Sequence, residues 1–443
     1  MLYHSLENHK KLVSFEHAVL KGLAPDGSLY FPEKIPILKR KFIQNLIKYD
    51  IYTLAMEIIA PYLGKDIPEE SIYSIIYNTL NFSFPLQRIH ENIYVLELFH
   101  GPTLSFKDVG AKFMAECLSY FSKKIEKQVT VLVATSGDTG GAVAKGFHKK
   151  SGIEVIILYP YKGVSSLQEK QITSLGDNIY ALEIKGDFDD CQNMVKKAFL
   201  DKEILKKYIL TSANSINIAR WLPQMFYYFL AYRQIEEENK ELIFSVPSGN
   251  FGNICAGMMS EKMGLPVKYF IASTNKNDTI PRFLKTEKYH PISVQRTISN
   301  AMDISNPSNF SRIWYLYKKN MFQLRKKLSS YRFTDEETLA IIEMVWKEHK
   351  YILEPHGAIG YLGLRQYLKK IKDPFLGTMA VFLETAHPIK FIDHLPLFLR
   401  EEISVPEQGK ILLSSNSKKI KTIQIPNDYN ILKNWLIERQ RHQ

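Results

Sequence analysis

Hydrophobic and polar positions repeat in one order over most of the chain: an apolar run, a glycine turn, then apolar residues at helical spacing. The first run, Ile93 to Phe99, ends at Gly101-Pro102, and Val109 to Phe121 then follows a helical period. The repeat indicates a parallel sheet with helices on both faces. Further strands are predicted at Val129 to Ala134, Glu154 to Tyr159, Ile179 to Ile184, Leu242 to Val246, Val267 to Ala272 and Thr378 to Leu383.

The same pattern divides the chain into three regions. In residues 1–90 the apolar positions mostly recur at helical spacing, which predicts a small N-terminal domain with a connector at Phe82 to Arg88. Residues 91–390 carry the alternation, and residues 391–443 form a C-terminal extension. An apolar helix is expected from Trp221 to Tyr232, and a capping box at Thr334 begins a helix that runs to His349.

Composition narrows the class of protein. With 443 residues, 45% hydrophobic and 23% charged, the chain can build two or three domains with sizeable cores. It has no apolar run near the roughly 18 residues that span a bilayer and no leader-like start, so a cytoplasmic protein without a membrane segment is expected. The three cysteines, Cys117, Cys191 and Cys255, have no paired spacing, so neither disulfides nor a metal site is expected.

The net charge of +12 has three explanations. A nucleic-acid partner, a small anionic substrate in a basic cleft, or a solvated lysine-rich surface would each produce it. The sequence contains no zinc-finger spacing, arginine-rich tract or RNA-binding aromatic signature, which argues against nucleic acid.

Lys107 is the candidate reactive residue. It stands between the first strand and the first helix of the alternating region, among Leu104, Phe106 and Val109. An amine partly desolvated there has a lowered pKa and can form a Schiff base with a carbonyl. This window alone also fits an ordinary surface lysine.

Polar or glycine-rich segments follow several other strands, where ligands collect in parallel sheets. Thr135 to Gly141 is a hydroxyl-rich helix start suited to a carboxylate or phosphate, and Ser248 to Asn253 reads as a phosphate cradle. Ser215, Asn217 and Arg220 can face one side of a helix start, and arginine binds phosphate bidentately. Each segment also fits a capped helix start or plain turn. His387, beside Pro388, more simply stabilises a loop.

Six motifs in order carry a resemblance to the threonine synthase family, in its longer bacterial and fungal branch. The similarity runs from the first residues to at least Lys390. The motifs are Phe-His-Gly-Pro-Thr-Leu-Ser-Phe-Lys-Asp, Ala-Thr-Ser-Gly-Asp-Thr-Gly, Ser-Ala-Asn-Ser-Ile-Asn, Val-Pro-Ser-Gly-Asn-Phe-Gly-Asn, Ser-Asn-Ala-Met-Asp and Glu-Thr-Ala-His-Pro.

The resemblance implies an α/β, fold type II, pyridoxal 5′-phosphate-dependent enzyme, similar to tryptophan synthase β, with two parallel-sheet lobes. Approximately residues 112–230 are expected to form the mobile lobe and the remainder of 91–390 the cofactor lobe. The resemblance implies that Lys107 forms the Schiff base and Thr385 contacts the pyridine nitrogen. It also implies the other ligands: Gly249, Asn250, Phe251, Gly252 and Asn253 at the cofactor phosphate, Asp138 near the ring hydroxyl, Thr135, Ser136, Gly137 and Thr139 at the substrate carboxylate, and Ser215, Asn217, Arg220 and Lys112 at the substrate phosphate.

The implied reaction, that of a carbon–oxygen lyase acting on phosphates, converts O-phospho-L-homoserine and water to L-threonine and phosphate. Asn253 stands where many relatives carry aspartate, which leaves the role of that side chain open. Two alternatives remain at this point. The first is another lyase of the same fold: a dehydratase would not need a second phosphate pocket, and a phospho-lyase would not add water. The second is a basic binding protein, which would lack catalysis.

Overall fold

The structure, a computed structural model, describes residues 1–125, 127–235, 241–371, 378–414 and 422–440. Its N-terminal region combines a short antiparallel ribbon with helices. Asp50 caps the longest of these helices by accepting from the backbone N–H groups of Tyr52 and Thr53. The region consists of β1 (Tyr3–Ser5), α1 (Phe15–Lys21), β2 (Tyr30–Pro32), α2 (Arg40–Gln44), α3 (Ile51–Leu63) and α4 (Glu69–Thr79).

The chain then forms the hairpin β3 (Leu86–His90) and β4 (Ile93–Glu97) and enters the small lobe through α5 (Lys107–Ser122). The central strands of this lobe are buried along their whole length, which explains their continuous apolar sequence. The lobe contains β5 (Val129–Ala134), α6 (Asp138–Phe147), β6 (Ile153–Pro160), α7 (Ser166–Thr173), β7 (Ile179–Lys185), α8 (Phe188–Leu200), α9 (Lys202–Lys207), β8 (Ile209–Thr211), α10 (Ile218–Trp221) and α11 (Met225–Arg233).

The helix expected from Trp221 to Tyr232 is interrupted. A 3₁₀ turn at Leu222–Gln224 separates α10 from α11. Pro223 explains the break, because it has no N–H to donate and its ring clashes with the preceding helical turn. The prediction of one continuous helix was wrong at this position.

The large lobe holds the remaining long strands. Thr334 caps its longest helix through the predicted capping box with Glu337. The lobe contains β9 (Glu241–Pro247), α12 (Gly252–Lys262), β10 (Val267–Thr274), α13 (Thr279–Thr286), α14 (Phe310–Leu316), α15 (Met321–Arg325), β11 (Leu328–Arg332), α16 (Asp335–His349), α17 (Pro355–Leu368), β12 (Thr378–Glu384) and α18 (Leu397–Arg400).

Two sheets form the frame of the molecule. The large sheet has the order β11-β10-β9-β12-β4-β3, parallel except that β3 pairs antiparallel with β4. Residues 391–443, expected as an extension, contribute α19 (Glu407–Ser414), β13 (Ile423–Pro426) and α20 (Tyr429–Gln440). The small sheet is fully parallel in the order β13-β7-β6-β5-β8, so this region completes the small lobe. The predicted strands are confirmed. The short strands β1, β2, β3, β8, β11 and β13 were missed, and β3 begins inside the predicted connector Phe82 to Arg88.

Helices α5, α6 and α12 each begin shortly after the carboxyl end of a strand, so their first residues face one cleft between the lobes. In the described ranges, no helix is long and apolar enough to cross a membrane. The histidine, cysteine, aspartate and glutamate residues of these ranges form no group that could hold a metal ion.

Candidate active site

Lys107 is the first residue of α5, as its position at a strand-to-helix junction predicts. The loop before it is held by Asp108, whose carboxylate accepts from the backbone N–H of Thr103 at 2.9 Å and from its hydroxyl at 2.5 Å. The backbone N–H of Lys107 donates to the hydroxyl of Ser105 at 3.2 Å. These short-range bonds fix the direction in which the lysine side chain leaves the helix.

Lys107 lines a cavity of about 120 Å³ between the two lobes. Burial lowers its pKa from 10.5 to about 8, and the positive charges of Lys390 and Arg220 act in the same direction, while Asp138 opposes them. About a tenth of such an amine is neutral at pH 7, against well under a thousandth at the ordinary pKa. Lys107 is therefore available as a nucleophile and base near neutral pH.

Most residues predicted for the site line this one cavity. Arg220 and the glycine loop come from opposite lobes and still share its wall. The predicted residues found there are Lys107, Thr135, Ser136, Asp138, Thr139, Ser215, Arg220, Gly249, Asn250, Phe251, Gly252, Asn253 and Thr385.

The loop before α6 is stabilised by Thr135. Its hydroxyl accepts from the backbone N–H groups of Gly137 at 3.0 Å and Gly140 at 2.8 Å, so it organises the helix start. Gly137 adopts φ +140°, and a Cβ there would lie 2.5 Å from the Gln168 side chain. The N–H groups of Asp138 and Thr139 bond to no described residue, which leaves them as donors for an anion.

Asp138 forms a buried ion pair that the sequence did not predict. Its Oδ1 lies 2.6 Å from Nζ of Lys390 and accepts from Nε2 of Gln168 at 2.9 Å. Burial raises the pKa of the Asp138 carboxyl, but the ammonium groups of Lys390 and Lys107 outweigh that effect and hold it well below its ordinary value. Asp138 is therefore a carboxylate at neutral pH.

The glycine loop between β9 and α12 is tightly packed. Phe251 adopts a left-handed conformation with φ 59°, which turns the chain into the helix. A Cβ on Gly249 would lie 2.7 Å from Cα of Met302, so this glycine is required for the loop to pack against the neighbouring segment. The hydroxyl of Tyr228 donates to Oδ1 of Asn253 at 2.7 Å, and Asn253 Nδ2 is buried without a partner among the described residues.

Ser215 joins the glycine loop to the small lobe. Its Oγ accepts from Nδ2 of Asn250 and from Nδ2 of Asn309, each at 2.9 Å. Because both lone pairs are used, the hydroxyl hydrogen is left to donate to a further acceptor. Ser215 therefore supplies the cavity with a directed donor.

Arg220 is buried and fixed by two backbone carbonyls. Its Nε donates to Ala213 at 2.7 Å and its Nη1 to Lys107 at 2.9 Å. Within the described ranges its Nη2 makes no hydrogen bond. Burial lowers the pKa of the guanidinium to about 10, so it stays cationic at neutral pH. Arg220 thus adds a fixed positive charge to the cavity wall.

Three predicted residues lie outside the cavity wall. Gly137 is not part of the lining and packs against the Gln168 side chain. Asn217 donates through Nδ2 to the carbonyl of Val19 at 2.8 Å and caps α10 through the N–H of Ala219, so its amide supports the fold. Lys112 donates to Oδ1 of Asn81 at 2.5 Å, away from the cavity. The structure does not bring Asn217 or Lys112 to the other predicted phosphate ligands.

Sequence reasoning missed the residues behind Thr385. The Thr385 hydroxyl donates to Oε1 of Glu354 at 3.2 Å, and Glu354 caps α17 through the N–H groups of His356 and Gly357. His356, which lines the cavity, lies 2.5 Å from Glu354 through Nδ1 and accepts from the N–H of Ala301 through Nε2. The pair Glu354-Pro355 predicts a helix start, but nothing in the sequence around it indicates that Glu354 contacts Thr385.

Comparison with known proteins gives a consistent match. A family model described as pyridoxal-phosphate dependent enzyme matches residues 78–382, and one described as threonine synthase N terminus matches residues 2–80. Threonine synthase of Buchnera aphidicola subsp. Schizaphis graminum is 43% identical and covers 99% of this chain and 100% of its own length.

Two solved structures are similar over the whole chain. That of threonine synthase from Escherichia coli has a TM-score of 0.91 and 40% identity, covering 99% of this chain and 100% of its own. That of pyridoxal-phosphate-bound threonine synthase from Brucella melitensis has a TM-score of 0.87 and 33% identity, covering 100% of both chains.

Proposed function

The chain belongs to the threonine synthase family of pyridoxal-phosphate-dependent enzymes, and its activity is that family's synthesis of threonine; we propose that its substrate is O-phospho-L-homoserine, converted with water to L-threonine and phosphate. The observation that carries the proposal is that the partly neutral amine of Lys107 shares a cavity with the fixed cation of Arg220. The proposed reaction uses the amine for the cofactor and the Cα proton, and the cation for the departing phosphate.

The residues present fit pyridoxal phosphate. The glycine loop has no room for side chains, and the N–H groups at the start of α12, the orphaned Nδ2 of Asn253 and the hydroxyl hydrogen of Ser215 are all donors. We assign this loop to the cofactor phosphate, Thr385 to the ring nitrogen and Lys107 to the covalent attachment. When bound, pyridoxal phosphate supplies an electron sink that acidifies the proton on the substrate's Cα.

Lys107 is assigned as the general base. With the cofactor bound, Nζ of Lys107 would remove the proton from Cα of the substrate. The lowered pKa of the amine supports this role, because a base acts best when its pKa lies near the working pH. Such a step typically contributes about 10²- to 10⁴-fold in rate.

The two anionic ends of the substrate are assigned to two groups of donors. The N–H groups of Asp138 and Thr139 at the start of α6 suit the carboxylate. Arg220 suits the phosphate, and its fixed charge would stabilise the negative charge that develops as phosphate leaves Cγ. For the atoms to balance, Cβ also loses a proton as phosphate leaves, Cγ gains a proton to become the methyl group, water adds its hydroxyl at Cβ, and Cα is protonated again.

The direct experiment incubates the purified holoenzyme with O-phospho-L-homoserine and measures L-threonine and inorganic phosphate together. Equal amounts of both products are expected. Phosphate without threonine would indicate a phospho-lyase, and no reaction with this substrate would contradict the proposal. We also propose a cytoplasmic location, since the substrate is a small phosphorylated metabolite; cell fractionation would test it.

A further inference from the structure

Lys390 is a buried lysine to which the proposed function gives no role. It lies in the 3₁₀ turn Pro388–His394, which follows β12 in the large lobe. Its Nζ contacts Oδ1 of Asp138 at 2.6 Å and donates to the carbonyl of Thr103 at 2.9 Å. The side chains of both charged residues are almost fully buried, with 0% of Lys390 and 4% of Asp138 exposed.

The ion pair crosses from one lobe to the other. Asp138 begins α6 in the small lobe, whereas Thr103 and Lys390 belong to the large lobe. Helix α7 completes the network: Gln168 donates to Asp138 at 2.9 Å and Gln171 donates to the Thr103 carbonyl at 3.0 Å. A buried ion pair persists only when such additional hydrogen bonds satisfy its polar atoms, and here they are present.

Asp138 and Lys107 line the same cavity. Four charged groups act on the Lys107 amine: Asp138 from α6, Lys390 from the 3₁₀ turn, Arg220 from α10 and Glu354 from the start of α17. Asp138 is the strongest attraction among them. If Lys107 formed the ion pair with Asp138, its amine would be held protonated and could serve neither as nucleophile nor as base.

We propose that Lys390 is a positioning residue for the reaction: it pairs with Asp138 and thereby keeps that carboxylate from holding Lys107 as a protonated ion-pair partner. The inference rests on the proposed function of Lys107. Two features of the geometry carry it. Oδ1 of Asp138 is already shared by Lys390 and Gln168. Asp138 also lines the same cavity as Lys107.

The test measures how fast the full-length chain, freed of cofactor and then given pyridoxal phosphate, gains visible absorbance as a function of pH. The wild-type rate should rise with pH through an inflection near 8. In Lys390→Met, Asp138 becomes available to Lys107, so the inflection should move up by about one pH unit and the rate at pH 7 should fall about tenfold. Lys390→Arg should restore most of the rate, and the pH profile of kcat for the holoenzyme should shift in the same direction.

An unchanged inflection in folded Lys390→Met would overturn the proposal. If that variant does not fold, Asp138→Asn and the double variant Asp138→Asn/Lys390→Met carry the test. The inflection of Asp138→Asn should lie below that of the double variant, because Lys390 then repels the Lys107 proton without a neutralising carboxylate. Equal inflections would overturn the proposal. Lys107→Ala is the control that separates the two proposals. If pyridoxal phosphate still became covalently attached to this variant, the proposed function of Lys107 would be contradicted, and the role of Lys390 would not.

Discussion

The guanidinium of Arg220 donates to the backbone carbonyl of Lys107 at 2.9 Å, so the fixed cation of the cavity and the reactive lysine form one rigid unit. Gly110, one turn further along α5, permits this approach, since a Cβ there would lie 2.7 Å from the carbonyl oxygen of Arg220. Chemistry at the amine and binding of an anion at the guanidinium are therefore coupled through the backbone.

Lys107→Ala should abolish the visible absorbance of the holoenzyme and lower kcat by about 10²- to 10⁴-fold or more, because the covalent attachment and the base are lost together. Absorption spectra before and after borohydride reduction, with peptide mapping of the reduced protein, would measure the attachment. Lys112→Ala is the matched control, since Lys112 lies on the same helix outside the cavity, and it should keep the colour. Reduction that labels another lysine in the wild type would contradict the assignment.

Arg220→Gln should lower kcat/KM for O-phospho-L-homoserine and weaken inhibition by inorganic phosphate. Loss of a charge-assisted hydrogen bond costs roughly 1.5–3 kcal/mol, which corresponds to about 10- to 150-fold in kcat/KM. Because the variant also loses the bond to the Lys107 carbonyl, kcat should fall together with affinity. Arg233→Gln, at the end of α11, is the control and should behave as wild type. An unaltered phosphate inhibition constant in Arg220→Gln would remove Arg220 from the phosphate site.

Gly110→Ala should separate α5 from α10, because the new methyl group would meet backbone atoms that cannot move independently. Overpacking of this kind costs about 1–3 kcal/mol of stability, and kcat/KM should fall as Lys107 and Arg220 move apart. Urea unfolding and steady-state kinetics would measure the two effects. Gly409→Ala, where the neighbouring atoms are side-chain carbons at 3.2 Å or more, should change little. Full activity in Gly110→Ala would show that the close approach of the two helices is dispensable.

Glu384 predicts a pH dependence of stability. Burial raises the pKa of this carboxyl well above its ordinary value of 4.5, and the nearby charge of Glu354 adds to the shift. The folded state therefore binds this proton more tightly than the unfolded state does, so the contribution of Glu384 is most favourable at acidic pH and is lost as the pH rises above about 4.5.

Glu384→Gln removes that proton equilibrium and keeps the shape of the side chain. The unfolding midpoint of the variant relative to wild type should increase from pH 5 to pH 8, as scanning calorimetry at several pH values would measure. Glu343→Gln, at an exposed position on α16, should give a difference that does not change with pH. A constant difference for Glu384→Gln would mean that Glu384 is ionised in the folded protein.

The sequence predicted the long strands and the family accurately because both depend on short-range patterns. The strand from Val129 to Ala134 is bounded by the same residues in sequence and structure. Strand β8 is only three residues long, too short for any periodicity to reveal it. The helix break at Pro223 could have been predicted, since proline removes a backbone donor.

Side-chain roles were harder to predict, because neighbours in sequence face different parts of the fold. Ser215 and Arg220 line the cavity, whereas Asn217 between them turns to the N-terminal region and bonds to Val19. Thr135 lies on the cavity wall, yet its hydroxyl is used to organise the loop. A sequence motif therefore identifies the correct loop but does not show which of its atoms remain free to bind a ligand.

By itself, the sequence determined that a lysine follows the first strand of a parallel sheet, that a glycine loop follows a later one, and that six motifs of one family occur in order. These features are local, and local spacing is sufficient to define them. The tertiary structure alone decided that Lys390 meets the carbonyl of Thr103, 287 positions away, and pairs with Asp138. Such a contact depends on how two sheets dock, and no local pattern of residues encodes the position of a partner that distant.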